Sequence, residues 1–345
     1  MDRQLSVVFT GPEQVTVTEQ TLPQPGPGQV RVRTRVSAIS AGSELLVLRG
    51  QAPHDVAVDD TIEALGQGGF GFPITYGYAC VGVVDALGAG VAEAWLGQRV
   101  FAFNPHQSRF IAAVNGLIAV PDSVSDDDAA FLPNMETAVN FLLDGAPLIG
   151  ERAVVVGQGI VGLLTTALLA RLPLAALVTL DTVAMRRTWS QRLGATASFD
   201  PRPVEVVAAV RAALGDVRTD YPGADVTFEV SGNPAALQTA MQVTGFDGRV
   251  VVGSWYGQKA ATLDLGGWFH RSRVRLISSQ VSTLTPGLAG RWDKARRLAV
   301  AWHMLAAVKP SQLITHRLHV TQAAAAYAVL LSAPDTALQV VFTYD

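Results

Sequence analysis

The chain has 345 residues, a length that suits two domains better than one. Hydrophobic residues make up 49% of the sequence and charged residues 16%, a balance that excludes an intrinsically disordered chain. The formal net charge is −3 and no basic stripe with interleaved aromatic residues occurs, so we expect no nucleic-acid partner.

The single cysteine, Cys80, excludes an internal disulfide and any site built from several thiolates. It fits a reducing cytoplasm, as does the beginning, Met1–Ser6, which lacks the basic and apolar regions of a signal peptide. The apolar stretch Gly159–Leu180 contains Arg171 and Pro173, and its pattern predicts a buried helix, a turn and a buried strand. We therefore expect no membrane span.

The first part of the chain is rich in predicted strands that follow one another without helices. Alternating or β-branched runs bounded by Gly and Pro predict them. They are Ser6–Thr10, Gln14–Glu19, Gln29–Val36, Ala79–Leu87, Arg99–Phe103 and Arg109–Val114. Such a succession predicts a small, partly open barrel.

Near Ser125 the pattern changes to alternating strands and helices. Ser125 followed by Asp126–Asp128 has the composition of a helix N-terminus. The predicted strands are Ala153–Val156, Ala176–Leu180, Ala197–Phe199, Asp225–Val230 and Arg249–Val252, and the predicted helices are Ile160–Leu172, Ala184–Leu193, Val204–Leu214 and Ala235–Val243. Apolar strands alternating with helices predict a doubly wound α/β domain, in which helices cover both faces of a parallel sheet.

The tail departs from this rhythm, with a predicted helix at Asp293–Ala307 followed by the strand Thr315–Val320, the helix Gln322–Leu331 and the strand Gln339–Thr343. We expect it to return to the first domain. The sequence thus predicts one domain from residues 1–130 and 311–345, and a dinucleotide-binding domain from residues 131–310.

A glycine-rich turn carries the strongest functional signal. Gly157, Gly159 and Gly162 form a G-x-G-x-x-G between a predicted strand and a predicted helix. The first glycine permits the tight turn, the second lets the backbone approach a pyrophosphate, and the third lets the helix pack against the strand. The helix that begins at Ile160 and Val161 would present unpaired N–H groups to the phosphates. We therefore predict a bound dinucleotide.

The next predicted strand is followed by Asp181, whose carboxylate would accept hydrogen bonds from the adenosine ribose hydroxyls. This favours NAD. Arg186 and Arg187 lie a helical turn further along and could bind a 2′-phosphate, so NADP stays an alternative.

Two further turns would lie at the carboxyl edge of the sheet, where ligands of such folds bind. They contain Ser231 with Gly232 and Gly253 with Ser254. Helix capping alone would need the same residues as cofactor contact, so both interpretations stay open. We also include Thr137 among the expected cofactor contacts.

These residues also carry a family resemblance. The segments Gln191–Thr196, Asp225–Asn233, Gly248–Gly253 and Ile314–Arg317 resemble the medium-chain dehydrogenase/reductase superfamily, to which the alcohol dehydrogenases belong. The resemblance extends from Ser37 to the end of the chain. It implies a GroES-like β-barrel catalytic domain, a Rossmann domain with a parallel six-stranded sheet, a small-molecule substrate bound between them, and a homodimer or homotetramer.

The zinc-binding members of that superfamily have Cys-Gly-Thr-Asp where this chain has Ala41–Glu44, and Gly-His-Glu where it has Gly77–Ala79. A catalytic zinc needs three converging protein ligands, which these positions cannot supply. His316 and His319 would face opposite sides of a strand and cannot share an ion. We therefore predict no zinc. The segments Ala38–Glu44 and Pro73–Tyr78 most resemble the zinc-lacking branch with bacteriochlorophyllide a dehydrogenase.

Without a metal, hydride transfer needs a proton donor or a substrate that delocalises charge. Tyr78 occupies a former metal position, although a tyrosine packed at a strand start would look the same. Glu44, with Ser43, lies where relatives have a polar relay, but it could simply cap a helix at Leu45–Leu48. His106 follows an apolar strand in a loop, where most histidines are solvated.

The sequence therefore favours a zinc-independent, NAD(P)-dependent oxidoreductase acting on the alcohol or carbonyl group of an apolar or conjugated small molecule. The alternatives are a quinone or enone reductase and a non-catalytic dinucleotide-binding sensor. The long segment Gln51–Thr75 suggests a lid, and we hypothesise that Phe70 and Phe72 cover the substrate.

Overall fold

The computed structural model describes residues 3–53, 58, 68–215 and 222–344. The chain divides into two compact units. One combines residues 1–133 with residues 305–345 and is called here the β-rich unit; the other, residues 134–304, is called the parallel-sheet unit. Each is described by itself.

The β-rich unit is built on a sheet in which the two ends of the chain meet. Its strands are β1 (Arg3–Gly11), β2 (Gln14–Thr21), β3 (Gln29–Ala38), β4 (Cys80–Leu87), β5 (Arg99–Ala102), β6 (Arg109–Ala113), β7 (Leu117–Ala119), β14 (Ile314–His319) and β15 (Gln339–Thr343). Its helices are α1 (Ala41–Leu48), α2 (Asp126–Ala129) and α9 (Ala323–Ser332). The main sheet has the order β14-β15-β3-β4-β5-β7, with β6 also paired to β3, and β15 runs antiparallel to β3. The last strand of the chain therefore lies beside the third.

Helix α2 begins where its sequence predicts. The Ser125 hydroxyl accepts a hydrogen bond from the Asp128 N–H over 3.1 Å, and three aspartates occupy the first turn. A side-chain oxygen at this position satisfies a backbone donor that the helix itself cannot pair, and the carboxylates favour the positive end of the helix dipole.

The parallel-sheet unit alternates strands and helices. Its strands are β8 (Arg152–Val156), β9 (Ala176–Leu180), β10 (Ala197–Phe199), β11 (Ala224–Glu229), β12 (Thr244–Val252) and β13 (Arg275–Ser278). The helices are α3 (Leu132–Gly145), α4 (Ile160–Leu169), α5 (Ala184–Arg192), α6 (Val206–Ala213), α7 (Pro234–Val243) and α8 (Lys294–Val308). The six strands are all parallel in the order β10-β9-β8-β11-β12-β13. This is the doubly wound order of a Rossmann domain.

Both faces of this sheet are covered, as the apolar strands predict. Successive residues of β8 point to opposite faces. Val154 and Val156 pack into one hydrophobic cluster, with residues of α6 and α7, while Ala153 and Val155 pack into another, with Phe141 of α3. A strand buried on both sides therefore needs the unbroken apolar sequence observed here.

Two differences from the predicted elements have simple physical causes. Strand β13 is not predicted, because it is an edge strand whose residues are mostly exposed and include Arg275. Helix α4 ends at Leu169, three residues earlier than predicted. There the N–H groups of Arg171 and Leu172 bond to carbonyls three residues back, so the chain tightens into turns before Pro173.

The hypothesis of an aromatic lid does not fit Phe70. Its side chain is 4% exposed and packs edge-on against Tyr76 in the core of the β-rich unit, with ring centroids 6.0 Å apart. Phe72 is partly buried against the same cluster. Most of the segment 54–67 lies outside the described residues. Among the residues that are described, no helix combines the length and apolarity needed to cross a membrane.

Candidate functional site

The glycine-rich turn between β8 and α4 has the geometry that each glycine implies. Gly157 has φ +95°, and a Cβ there would lie 2.5 Å from the Ser231 Cα. A Cβ on Gly162 would lie 1.9 Å from the Gly157 carbonyl oxygen. Both positions therefore exclude any side chain, because the helix and the neighbouring turn approach the backbone too closely.

Gly159 differs from the other two glycines. A Cβ at this position would meet nothing of the protein within 4 Å, and its φ of −66° is open to any residue. Gly159 is the N-cap of α4, and no side chain caps the helix there. Protein packing thus gives no reason for glycine, whereas close approach of a pyrophosphate to the N–H groups of Ile160 and Val161 does. The turn fits a dinucleotide.

The residue between the first two glycines stiffens the turn. The Gln158 side chain is fully buried, donating to the Gly157 carbonyl over 3.1 Å and accepting a bond from Thr166 Oγ1 over 3.0 Å. These bonds tie the turn to the body of α4, so its backbone is preorganised.

Asp181 lies directly after β9 and is 7% exposed. Its carboxylate accepts the N–H of Gln158 over 2.7 Å and the N–H of Val183 over 2.8 Å. Arg186 Nη1 is 4.0 Å from Asp181 Oδ2, while Arg187 donates to the Asp181 carbonyl over 2.8 Å. The negative charge of Asp181 is thus fixed beside the glycine turn, with an arginine next to it.

Of the predicted turn residues, Ser231 and Gly232 lie beside the glycine turn. Asn233 caps α7 by accepting the Ala235 N–H over 3.1 Å, so the capping interpretation is correct. The Gly232 N–H donates to Ser254 Oγ over 2.8 Å, which joins the turns after β11 and β12. Gly253 is glycine for a packing reason, since a Cβ there would lie 2.2 Å from Phe141.

The remaining predicted contact, Thr137, lies half-buried on α3. Sequence reasoning missed Glu229, a fully buried carboxylate at the end of β11. It accepts the N–H of Ser231 over 2.9 Å and the hydroxyl of Tyr256. Burial and the charge of Glu229 raise the pKa of Tyr256, so this tyrosine stays protonated and donates. The available signal was a carboxylate near the end of the predicted strand Asp225–Val230, just before the turn that contains Ser231.

In the β-rich unit, three hydroxyl groups meet at the start of α1. The Tyr78 hydroxyl donates to Ser40 Oγ over 2.5 Å and lies 3.1 Å from Ser43 Oγ. All three side chains are partly exposed. The three hydroxyl groups form a hydrogen-bonded chain of exchangeable protons that a molecule in solvent can reach. Such a chain can protonate or deprotonate the oxygen of a substrate.

Behind this cluster lies a fully buried carboxylate, Glu44. Glu44 Oε1 accepts the N–H of Ser40 over 2.6 Å, and Oε2 accepts the Tyr327 hydroxyl and lies 3.1 Å from His106 Nε2. Three donors around one carboxylate compensate for its removal from water. Burial and the charge of Glu44 raise the pKa of Tyr327 well above its usual value, so the phenol remains a donor.

His106 continues the buried network. Its Nδ1 lies 2.7 Å from Ser37 Oγ, which in turn lies 2.7 Å from the Tyr344 hydroxyl. The ring also sits against Gly77, where φ is +111° and a Cβ would lie 2.6 Å from the imidazole. The histidine thus supports the backbone that immediately precedes Tyr78.

The structure corrects part of the environment expected for these residues. His106 lies in a loop, as predicted, but it is fully buried rather than solvated. Glu44 is also fully buried, and the interpretation that it caps a helix at Leu45–Leu48 is wrong, because α1 begins at Ala41 and Glu44 lies inside it. Its carboxylate instead accepts the N–H of Ser40, the N-cap residue of α1. Tyr327 and Tyr344 were missed because they lie about three hundred positions further along the chain, at separations of 283 and 307 residues from their partners.

The residues at the expected zinc positions do not fit the metal. Ala41 and Ala79 have no ligand atom, and Tyr78 offers a phenol already bonded to Ser40. Over the described ranges, no group of three or more His, Cys, Asp or Glu side chains converges as a metal site would require. Burial raises the pKa of the Cys80 thiol to about 12, and the thiol donates to the carbonyls of Asn104 and Pro105 over 3.2 and 3.3 Å.

Comparison with known proteins agrees with this architecture. Residues 161–300 match the zinc-binding dehydrogenase family. D-guloside 3-dehydrogenase from Escherichia coli K12 is 24% identical over 291 residues, covering 80% of this chain and 81% of that one. The 2-desacetyl-2-hydroxyethyl bacteriochlorophyllide A dehydrogenase of Cereibacter sphaeroides is 26% identical over 356 residues, or 96% of each chain. An alcohol dehydrogenase from Escherichia coli CFT073, crystallised with NADH, has a TM-score of 0.79 at 18% identity over 100% of both chains.

The predicted fold class is confirmed, because the chain has both the doubly wound parallel sheet and the GroES-like β-rich unit of the solved dehydrogenase structures. The family match over residues 161–300 and the dehydrogenases among the relatives support the predicted resemblance to the medium-chain dehydrogenase/reductase superfamily and an NAD(P)-dependent oxidoreductase.

Proposed function

We propose that this protein is a zinc-independent, NAD-dependent oxidoreductase that interconverts an alcohol and a carbonyl group on an apolar or conjugated small molecule. The observation that carries the proposal is the hydroxyl cluster of Tyr78, Ser40 and Ser43. The family resemblance implies a metal ligand at the position of Tyr78 and a polar relay at the position of Ser43. A bound nicotinamide would supply the hydride.

The choice of NAD rests on Asp181. Its carboxylate uses one lone pair per oxygen on Gln158 and Val183, and the other lone pairs can accept ribose hydroxyl groups. A 2′-phosphate would meet that negative charge in a nearly buried position. Arg186, 4.0 Å from the carboxylate, offsets part of the repulsion, so NADPH should bind more weakly without being excluded.

The absence of zinc is supported by the donor set. The family match covers residues 161–300 only, so it does not extend to Ala41, Tyr78 or Ala79. At those three positions this chain has two methyl groups and a hydrogen-bonded phenol, whereas the resemblance implies side chains that coordinate zinc. Without a Lewis acid, charge on the substrate oxygen must be met by a proton.

The hydroxyl cluster can deliver that proton. When a carbonyl is reduced, the carbon receives the hydride and the oxygen receives a proton, which Tyr78 or Ser43 donates. The other hydroxyl passes on a replacement proton along the 3.1 Å contact and is itself reprotonated from solvent, since both side chains are partly exposed. In the direction of oxidation the same groups remove the proton. General acid catalysis of this kind contributes about 10²- to 10⁴-fold.

Glu44 and His106 act through their neighbours in this proposal. Neither is exposed, so neither reaches a substrate directly. Glu44 holds the backbone of Ser40, and His106 packs against Gly77 next to Tyr78. They are positioning residues that keep the hydroxyl cluster in place.

The test is a substrate panel of alcohols, ketones, enones, quinones and a porphyrinoid, monitored at the nicotinamide absorbance with untagged protein before and after exhaustive chelation. Turnover should survive chelation. Tyr78→Phe should lower kcat by about 10²-fold or more while NADH binding is unchanged. The matched control is Tyr76→Phe, which removes a hydroxyl from the neighbouring ring, 6.1 Å away, and should keep its turnover.

Three outcomes would contradict the proposal. Turnover that disappears on chelation and returns with zinc would show a metal enzyme. Reduction of enones or quinones alone would indicate a different reductase. NADH binding without turnover of any compound would indicate a dinucleotide sensor.

We further propose a cytoplasmic homodimer or homotetramer. A buried, protonated Cys80 fits a reducing compartment, and the edge strand β13 leaves Leu276 39% exposed for contact with a second copy. Analytical ultracentrifugation would test the oligomeric state, and a monomeric sedimentation coefficient would contradict it.

A further inference from the structure

Helix α3 carries a row of polar side chains along one face. Glu136, Asn140 and Asp144 are spaced four residues apart, so they share one face. Glu136 is 3% exposed, Asn140 is 0% exposed and Asp144 is half-buried. Such a stripe needs polar partners inside the parallel-sheet unit, because buried polar groups are costly when unpaired.

The first partner is Arg297 of α8, which is 1% exposed. Its Nη2 and Nε donate to Glu136 Oε1 over 2.8 and 3.1 Å, and its Nη1 donates to Asn140 Oδ1 over 2.7 Å. The same guanidinium also donates to the Val281 carbonyl over 2.5 Å and reaches the Thr283 carbonyl at 3.5 Å. One side chain therefore joins the helix stripe to the segment that follows β13.

The rest of the stripe grips the beginning of that segment. Asn140 Nδ2 donates to Ser279 Oγ over 3.2 Å and approaches the Gln280 carbonyl at 3.4 Å. Ser279 Oγ donates to Asp144 Oδ2 over 2.5 Å. Together these contacts hold residues 279–283 from one side. The four side chains that make them, those of Glu136, Asn140, Asp144 and Arg297, are called here the α3 clamp.

The clamped segment lies at the carboxyl edge of the parallel sheet. Its first N–H, that of Ser279, bonds to the carbonyl of Val252 at the end of β12. In this strand order the first three strands form one mononucleotide-binding half and the last three form the other. The glycine turn follows β8 and Asp181 follows β9, which assigns the adenosine to that half. The nicotinamide half is then formed by the ends of β11, β12 and β13.

We propose that the α3 clamp positions residues 279–283 as a wall of the nicotinamide end of the cofactor site, with Arg297 as the central positioning residue. This inference rests on the use of a nicotinamide cofactor and on neither the zinc nor the substrate proposal. Arg297 acts through the backbone of Val281, not on the cofactor itself.

The composition of the clamp supports a positioning role over a purely stabilising one. A buried ion pair such as Arg297 with Glu136 gains little over well-packed apolar side chains of similar volume, because both charges lose their hydration. A guanidinium does, however, hold several acceptors in fixed directions at once, which no apolar residue can do. The carbonyls it holds, those of Val281 and Thr283, belong to an irregular segment that follows β13 and lies outside the strands.

The test compares two ligands that share everything except nicotinamide. NADH and ADP-ribose are titrated by calorimetry into the full-length protein and into Arg297→Lys, which keeps the charge beside Glu136 but lacks the planar fork. We expect NADH affinity to fall about tenfold and ADP-ribose affinity to stay within about twofold. Arg296→Met, on the same helix but exposed, is the matched control and should change neither.

Ser279→Ala provides a second variant that leaves the ion pair intact, should Arg297→Lys fail to fold. It should reduce the affinity ratio of NADH to ADP-ribose in the same direction. An unchanged ratio in the folded variants, or an equal loss for both ligands, would overturn the proposal. Failure of the wild-type protein to bind NADH would instead refute cofactor use, so the two failures are distinguishable.

Discussion

The most informative perturbation uses two glycines of the same turn that are glycine for different reasons. Gly159→Ala adds a methyl group where nothing of the protein lies within 4 Å, whereas Gly162→Ala places one 1.9 Å from the Gly157 carbonyl oxygen. If the turn grips a pyrophosphate, the first change should damage binding and spare the fold. The second should damage the fold itself.

The magnitudes follow from the contacts. In Gly162→Ala the helix or the turn must move by about 1.5 Å to restore an ordinary contact, and overpacking of this kind costs about 1–3 kcal/mol. For a unit of this size each kcal/mol lowers Tm by about 2–4 °C, so the expected fall is about 2–12 °C. Gly159→Ala alters only an N-cap residue with an ordinary φ, which costs about 0.5–1 kcal/mol.

Gly159→Ala, the milder change for the fold, should directly damage the binding of NADH. A methyl group between the Gly159 backbone and a pyrophosphate overpacks the bound state by about 1–3 kcal/mol, so NADH affinity should fall about 5- to 150-fold. Calorimetry with NADH and thermal unfolding without ligand give both quantities for each variant. A Gly159→Ala protein that binds NADH as tightly as wild type would refute the assignment of the turn.

Two further changes test the charges near each site. Asp181→Asn should narrow the preference for NADH over NADPH by about tenfold, since one charge about 5 Å from a phosphate is worth about 1–3 kcal/mol. Competitive fluorescence titration measures the ratio of the two affinities, and an unchanged ratio would contradict the role of Asp181. Glu44→Gln should lower the free energy of unfolding in urea by about 3 kcal/mol, because one of the two accepting oxygens becomes an NH2 group that cannot accept from its buried neighbours, whereas Tyr327→Phe should cost about half as much. A loss below about 1 kcal/mol for Glu44→Gln would show that its hydrogen bonds contribute little.

Much of the parallel-sheet unit follows from local sequence. Strands buried on both faces, such as β8, are continuous apolar runs, and the glycine turn reports its own backbone geometry. Strand β13 could not be predicted in this way, because an exposed edge strand is held by pairing to β12 and its side chains carry no apolar signal.

The candidate sites show where local reasoning stops. Tyr78, Glu44 and His106 could be singled out by residue type and position. The buried network of Glu44 and His106, however, includes Tyr327 and Tyr344, which only the folded chain brings to it. Arg297 looked like one of several charges on a helix, and nothing in its neighbours along the chain distinguishes it from the exposed Arg296. The spacing of the polar residues on α3 was the one available hint.

Native mass spectrometry of the untagged protein mixed with NADH tests the central claim most directly, since a single spectrum weighs both coenzyme and metal. One NADH for each chain, with no mass attributable to zinc, is the predicted result. A stoichiometric zinc adduct, or a chain that carries no NADH, would contradict the account.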